Sequence, residues 1–220
     1  MALEILEGQE LELEALYALP EWIEKNSALL SVVSSKVQEV TAKDLKRISN
    51  LKTPNKVVAI CKIPSYSLET AILNNSLTLY LDGIQDPGNM GSILRIADWF
   101  GLPYVFCSTG CVDIYNSKVI QSSMGAFLRV QTIEIEIAEL KIQCPDLPIF
   151  AAVLDGLNVF TATLPASGVL VIGNEGNGIS AAVQAQTNFH LTIPKGRQGG
   201  AESLNAAVAT GILCSALFNK

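Results

Sequence analysis

From about residue 76 onward the sequence predicts an α/β fold, a parallel sheet with helices on both faces. Three observations predict it. Strand-like apolar runs alternate with helical patterns along the chain. The strand runs are continuous rather than alternating, as in "SLTLYL" and "GVLVI", which suits strands buried on both faces. Loops rich in Gly, Asn and Pro fall where strands hand over to helices, the edge at which open α/β sheets bind ligands.

"LELEALYAL" reads as a strand and a turn, and "PEWIEKNSALLSVV" as a helix with Pro20 ahead of it. "AKDLKRISNL" is a short basic helix with Asp44 near its start, and "NKVVAICKIP" is a strand ended by Pro64. The polar stretch "PSYSLETAILNN" reads as a linker. "SLTLYLDGI" is then a buried strand, and "GNMGSILRIADWFGL" a helix with Gly101 at its C-terminal end. "YVFCS" is a strand, "SKVIQSSMGAFLRV" a helix and "LPIFAAVL" a strand. "GVLVIGN" is a strand, "ISAAVQAQ" a helix and "FHLTIP" a strand, and "ESLNAAVATGILCSALF" is the last helix. The expected division is 1–64, a linker at 65–75, and 76–220.

Composition narrows the function. The 220 residues are 49% hydrophobic, enough for a well-filled core. No apolar run approaches the roughly 18–20 residues that span a bilayer, and "MALEILEGQE" is unlike a secretory leader. A cytoplasmic location is expected. The five cysteines are scattered and odd in number, as reduced thiols are. Cys107 and Cys111 lack a second Cys or His pair, so no metal is expected. His190 is the one histidine and lies in an apolar strand, so any chemistry here works without a histidine base. The net charge of −6 argues against indiscriminate nucleic-acid binding. Within 36–62, however, Lys36, Lys43, Lys46, Arg47, Lys52, Lys56 and Lys62 face only Glu39 and Asp44. Such a segment is either a phosphate-contact surface, with Lys46 and Arg47 at its centre, or a solvated helix face.

Three loops carry candidate chemistry. "GNEGNG" (173–178) has the order G-x-x-G-x-G late in the chain, which is not the dinucleotide fingerprint, and no Walker loop is present. "DPGNMGSILR" joins a Pro-Gly turn to Asn89, a residue able to cap a helix, and to Gly91, which permits close approach. Arg95 falls one turn later. "IPKGRQGGAESLN" feeds Ser203, Leu204 and Asn205 into a helix N-terminus, where free N–H donors are available.

In this order and at strand-to-helix junctions, the three loops resemble the SpoU/TrmH branch of the SPOUT methyltransferases. The resemblance covers roughly 76–218 and rests on "LDGIQDPGNMGSILRIADWFG", "VLVIGNEGNGIS" and "IPKGRQGGAESLNAAVATGI", with "VDIYNSKVIQSSMGAFLRV" between. It implies a C-terminal trefoil knot, which no periodicity argument would propose. A homodimer whose subunits share active sites is implied too. Residues 1–64 resemble the second half of a small α/β RNA-binding domain of ribosomal-protein type, truncated at its front, with "MALEILEGQ" as an internal helix.

The implied activity is methyl transfer from S-adenosylmethionine to a ribose 2′-hydroxyl of tRNA or rRNA. The alternative is a non-catalytic RNA-binding or ribosome-assembly module on the same scaffold. By resemblance, "GNEGNG" cradles the cofactor through its backbone, with Gly173, Asn174 and Gly176. Ile193 and Leu204 contact the cofactor, and Leu154, Asp155 and Gly156 flank its adenosine. Arg95 is the catalytic arginine, Asn89 fixes its loop, and Glu175 orients Arg95 or Asn89. Ser203 and Asn205 hold substrate or cofactor, and Lys118, Lys195 and Arg197 meet RNA phosphates. An arginine, with its pKa above about 12, is better suited to stabilising a developing alkoxide than to taking its proton. The loop "PKGRQGGAES" departs from the family by about two extra residues and by its Lys-Gly-Arg.

Overall fold

The computed structural model describes residues 1–8 and 11–218, which fall into two compact units divided between Ser65 and Tyr66.

In the first unit the elements are α1 (Ala2–Glu7), β1 (Leu13–Ala18), α2 (Pro20–Lys25), α3 (Ser27–Leu30), β2 (Val37–Glu39), α4 (Ala42–Ile48) and β3 (Val57–Cys61). β1 is central in a three-stranded sheet, parallel to β2 and antiparallel to β3. Leu13, Leu16, Ala18 and Leu30 form its core, with Trp22, Ile23 and Val37 packed against them. The single helix expected from Pro20 to Val33 is broken into α2, α3 and a 3₁₀ segment, Ser31–Lys36. Polar side chains compete for its carbonyls: Asn26 Nδ2 donates to Trp22 O at 2.7 Å and Ser31 Oγ to Ala28 O at 2.7 Å. At α4, Thr41 and Asp44 form a reciprocal capping box, so Asp44 does mark the helix start.

The second unit begins earlier than the linker reading allowed. Residues 66–75 are part of it: α5 (Thr70–Leu73) buries Leu73 completely, and Glu69 N donates to the Tyr104 hydroxyl. Polar composition misled here, because Leu73, with Leu68 and Ile72 packed against the same core, anchors the segment. The remaining elements are β4 (Leu77–Asp82), α6 (Pro87–Trp99), β5 (Tyr104–Cys107), α7 (Ser117–Ser123), β6 (Gln131–Glu134) and α8 (Ile137–Gln143). They continue with β7 (Ile149–Asn158), β8 (Gly168–Gly173), α9 (Ala181–Gln184), β9 (Phe189–Thr192) and α10 (Ala206–Phe218). Six strands in the order β6-β5-β4-β8-β7-β9 form one sheet, and every pairing in it is parallel.

Both faces of this sheet are covered. On one, Tyr80, Phe106, Ile149, Val169 and Val171 pack with Leu73, Ile137, Leu140 and Val183 from α5, α8 and α9. The alternate residues Leu79, Leu81, Leu170 and Ile172 are equally buried, and α6 and α10 pack on β5 and β8. β6 and α8 were not expected from the sequence. The alternation in "QTIEIE" is their one local signal.

The chain leaves β4 for β5 on one side, while β8 flanks β4 on the other. The topological switch point therefore lies between β4 and β8, where Asp82 pairs with Gly173 at the carboxyl ends. Two helix boundaries also differ from expectation. α7 stops at Ser123 because Met124 and Gly125 are left-handed, with φ of 52° and 91°. α10 starts at Ala206 rather than near Glu202.

Candidate active site

All three loops meet at the switch point. Asn89, in the first turn of α6, is oriented by Asp86, whose Oδ1 accepts the Asn89 N–H at 2.7 Å. The Asn89 side chain then bridges the other two loops. Its Nδ2 donates to Glu175 Oε1, and its Oδ1 accepts from Asn205 Nδ2 at 2.7 Å. Asn205 completes the relay: its Oδ1 accepts the Ala207 and Val208 N–H groups at 3.0 and 3.2 Å, capping α10. Glu175, Asn89 and Asn205, separated by 86 and 116 positions, thus form one hydrogen-bonded chain.

The turn that presents Glu175 is tightly built. Asn174 and Gly178 exchange backbone hydrogen bonds of 3.0 and 2.9 Å. Asn174 Oδ1 accepts from the Gly176 and Asn177 N–H groups, and Asn174 Nδ2 donates to Gly83 O at 2.8 Å. The side chain expected at the cofactor is thus engaged within the turn. Gly173 is required by the turn itself, since a Cβ there would lie 2.4 Å from Gly178 C and 2.5 Å from Ile179 N.

Arg95 is exposed, and among the described residues it makes no hydrogen bond or ion pair. It joins Asn205 in lining a groove of about 840 Å³ between α6 and α10, with Ser92, Ile96, Trp99 and Val208. Of the two partners expected for Glu175, the structure gives it Asn89 and not Arg95. Gly91 permits close approach, but to α7: a Cβ would sit 2.0 Å from Ser122 Oγ. Ser203 does not enter α10. It lies exposed in the loop two residues before Asn205, which caps that helix. Leu204, beside it, is exposed.

Leu154, Asp155 and Gly156 occupy a break in the β7–β9 register between Ala152 and Leu157. All three are exposed, and Thr192 Oγ1 ties Leu154 O to the end of β9 next to Ile193. At Gly156 a Cβ would meet His190 O at 2.7 Å, so strand packing alone requires that glycine. Lys118, Lys195 and Arg197 are exposed, and so are Lys46 and Arg47 on α4. The basic segment is partly neutralised within its own unit: Lys56 pairs with Glu21, Lys62 with Glu12, and Lys36 Nζ donates to Leu13 O.

Sequence reasoning missed Asp86 and Asp82. Asp86 had a signal, an Asp directly before Pro at the first helical position. Asp82, buried at the end of β4, gave none beyond being the one charge in that strand.

A parallel open sheet with convergent polar groups at its switch point defines an α/β ligand-binding enzyme architecture. The particular family follows from sequence: the model of the SpoU rRNA Methylase family matches residues 76–215, more than half of the chain, and the chain belongs to that family. The 23S rRNA (guanosine(2553)-2′-O)-methyltransferase RlmP of Bacillus subtilis is 31% identical over 169 residues, which are 76% of this chain and 66% of RlmP. A solved TrmH-family structure from Porphyromonas gingivalis is 38% identical, with a TM-score of 0.83 over 98% of this chain and 85% of that one. An AdoMet-bound rRNA methyltransferase from Sinorhizobium meliloti shares the fold at a TM-score of 0.85 and 24% identity, covering 100% and 85% of the two chains. No helix among the described residues is long and apolar enough to cross a membrane, and none of them group as three or more potential metal ligands.

Proposed function

We propose that this chain is an S-adenosylmethionine-dependent RNA methyltransferase acting on a ribose 2′-hydroxyl of rRNA or tRNA. The observation that carries this reading is the Glu175–Asn89–Asn205 hydrogen-bond chain, which closes three distant loops over the switch point with Arg95 beside it. A non-catalytic RNA-binding module has no need of such a chain.

The residues present fit the cofactor. Leu154 and Leu204 are 77% and 47% exposed, apolar surface suited to an adenosine, and backbone polar groups of the Gly173–Gly178 turn and of Ile193 lie at neighbouring strand ends. When bound, S-adenosylmethionine supplies an electrophilic methyl on a sulfonium, so the protein's work is positioning and charge stabilisation. Arg95 stabilises the alkoxide that develops on the 2′-oxygen, while the proton leaves to phosphate or water. Asn205 orients the groups it faces, and Asn89, fixed by Glu175, holds Asn205. Ser203, exposed in the flexible-sequence loop, reaches substrate, and Lys118, Lys195 and Arg197 meet RNA phosphates.

The same reading includes a homodimer. Trp99, Met124 and Val208 are 85%, 69% and 51% exposed around the Arg95 groove, an apolar surface that a second copy would cover while bringing its own loops to Arg95. The trefoil knot belongs to it too, supported by the return of the chain from edge strand β9 to α10 packed on α6. Unit Met1–Ser65 is read as the RNA-binding domain, with Lys46 and Arg47 on its exposed basic helix, and the cytoplasm as the place of action.

Calorimetry with S-adenosylmethionine, followed by labelled methyl transfer to RNA from a deletion strain and nucleoside analysis of the product, tests the proposal. Saturable binding and a new 2′-O-methylnucleoside are expected. Methylation of a base, or no binding, refutes it.

A further inference from the structure

Asp82 is the last residue of β4 and, among the described residues, one of five buried polar or charged residues. It is 8% exposed, and burying a carboxylate is costly unless its oxygens are bonded. Its Oδ2 accepts the Ser180 backbone N–H at 2.6 Å, and no ion pair holds it among the described residues. Ser180 is the residue at which the Glu175 turn ends and α9 begins. The near foot of the same turn is tied by Asn174 Nδ2 to the carbonyl of Gly83, the very next residue after Asp82. Both feet are thus fastened to two consecutive residues of the β4 end, and Glu175 projects from between them to Asn89. The other five residues of β4 are buried without charge, so a carboxylate here is not demanded by the core.

We propose that Asp82 is a positioning residue: by holding the Ser180 N–H, its carboxylate sets the 174–178 turn so that Glu175 meets Asn89. The proposal rests on the methyl-transfer reading above. Asp82 touches no reacting atom and acts through Glu175. Loss of its tie frees the far foot of the turn to hinge on β8, and misplacement by about 1 Å at a catalytic constellation costs on the order of 100-fold in rate.

The test uses the full chain, S-adenosylmethionine and a pool of unmodified rRNA and tRNA transcripts. Asp82→Ala is expected to lower kcat about 100-fold with RNA affinity unchanged, and Asp82→Asn, which keeps an acceptor oxygen, to recover most of it. Ser180→Pro deletes the donor instead, at a φ of −62° that proline accepts, and is expected to match Asp82→Ala. Ser180→Ala, which keeps the N–H and removes the hydroxyl that accepts the Val183 N–H at 3.4 Å to cap α9, serves as its control for that lost cap and keeps kcat near wild type. In a Glu175→Gln background, Asp82→Ala adds less than about three-fold, since both changes break one relay. Hydrogen exchange over 173–182 quickens in Asp82→Ala and Ser180→Pro but not in Asp82→Asn. Multiplying effects of Asp82→Ala and Glu175→Gln, or unchanged exchange in a folded Asp82→Ala protein, overturns the proposal. If wild type transfers no methyl group, the methyl-transfer reading fails instead, and the exchange result still decides whether Asp82 holds the turn.

Discussion

Alanine placed at each of three glycines of the Glu175 turn separates close packing from backbone conformation. At Gly173 the new Cβ would lie 2.4 Å from Gly178 C, and ordinary contact needs about 3.5 Å. The far strand of the turn must therefore retreat by about 1 Å. The atoms met are backbone, so no rotamer relieves the clash. Overpacking costs about 1–3 kcal/mol, and the two Asn174–Gly178 hydrogen bonds are worth about 1 kcal/mol each. Together these make roughly 3–5 kcal/mol, or a fall in Tm of roughly 6–20 °C for a unit of this size. At Gly178 nothing lies within 4 Å, but φ is +69°, and Gly178→Ala costs about 1–2 kcal/mol. At Gly176 the nearest atom is Asn174 Oδ1 at 3.5 Å, so Gly176→Ala stays within about 0.5 kcal/mol of wild type. The assay is thermal unfolding of all three variants beside kcat at a temperature where each is folded. Gly173→Ala is also expected to lose about 100-fold in kcat, because Glu175 moves with the turn. A Gly173→Ala protein as stable and active as Gly176→Ala would refute the close-approach argument.

Four further outcomes are expected. Arg95→Ala lowers kcat by about 10²–10³-fold while calorimetric binding of S-adenosylmethionine survives, and Arg95→Lys does not restore the rate because the planar fork is lost. Asn205→Ala removes the α10 cap and the tie to Asn89, costing about 1 kcal/mol or more in urea unfolding. The Cys107 thiol, with the Ile84 and Gly83 N–H groups and the Ser108 hydroxyl, holds the Cys111 thiol down to about 6 against the effect of burial, whereas burial pushes Cys214 up to about 12. Thiolate forms as pH rises through each value, so iodoacetamide labels native Cys111 with a half-maximal rate near pH 6 and leaves Cys214 untouched, as peptide mass spectrometry will show. For the proposed homodimer, Trp99→Glu, which puts a charge on the exposed α6 face, is expected to shift sedimentation toward the monomer with a parallel loss of methyl transfer.

Legibility in the sequence followed the range of the interactions. Strands such as "SLTLYL" and "GVLVI" were readable because both of their faces are buried, and the pattern is local. The edge strand β6 was passed over because its burial is partial and its neighbour α8 is short. Helix ends failed where side-chain hydrogen bonds set them: Asn26 splits the Pro20 helix, and the Asn205 cap starts α10 at Ala206 rather than near Glu202. The linker reading of 65–75 failed for a different reason, since the burial of Leu73 depends on a sheet far along the chain. Within the site, the residues of the three loops were legible only together, through their order and a family resemblance. Glu175 as partner of Asn89 was one of two readings, and the fold chose between them.

That choice shows what the parallel sheet contributes. A carboxylate in a glycine-rich turn is ordinarily solvated, and an asparagine in a first helical turn is ordinarily a local cap. Pairing Asp82 with Gly173 puts the ends of β4 and β8 side by side, so both loops leave the sheet at the same height. Asn174 then fixes the turn to Gly83, Asp86 fixes the start of α6, and the remaining freedom of Glu175 and Asn89 is rotameric. Asn205 closes the set from a third direction, because α10 packs along α6 and its cap is the residue facing Asn89. Each tie is a single modest hydrogen bond, yet each shortens the search of the next. The loops are therefore preorganised by their backbone connections rather than by charge pairing, and Arg95, joined to none of them, is left exposed on the groove.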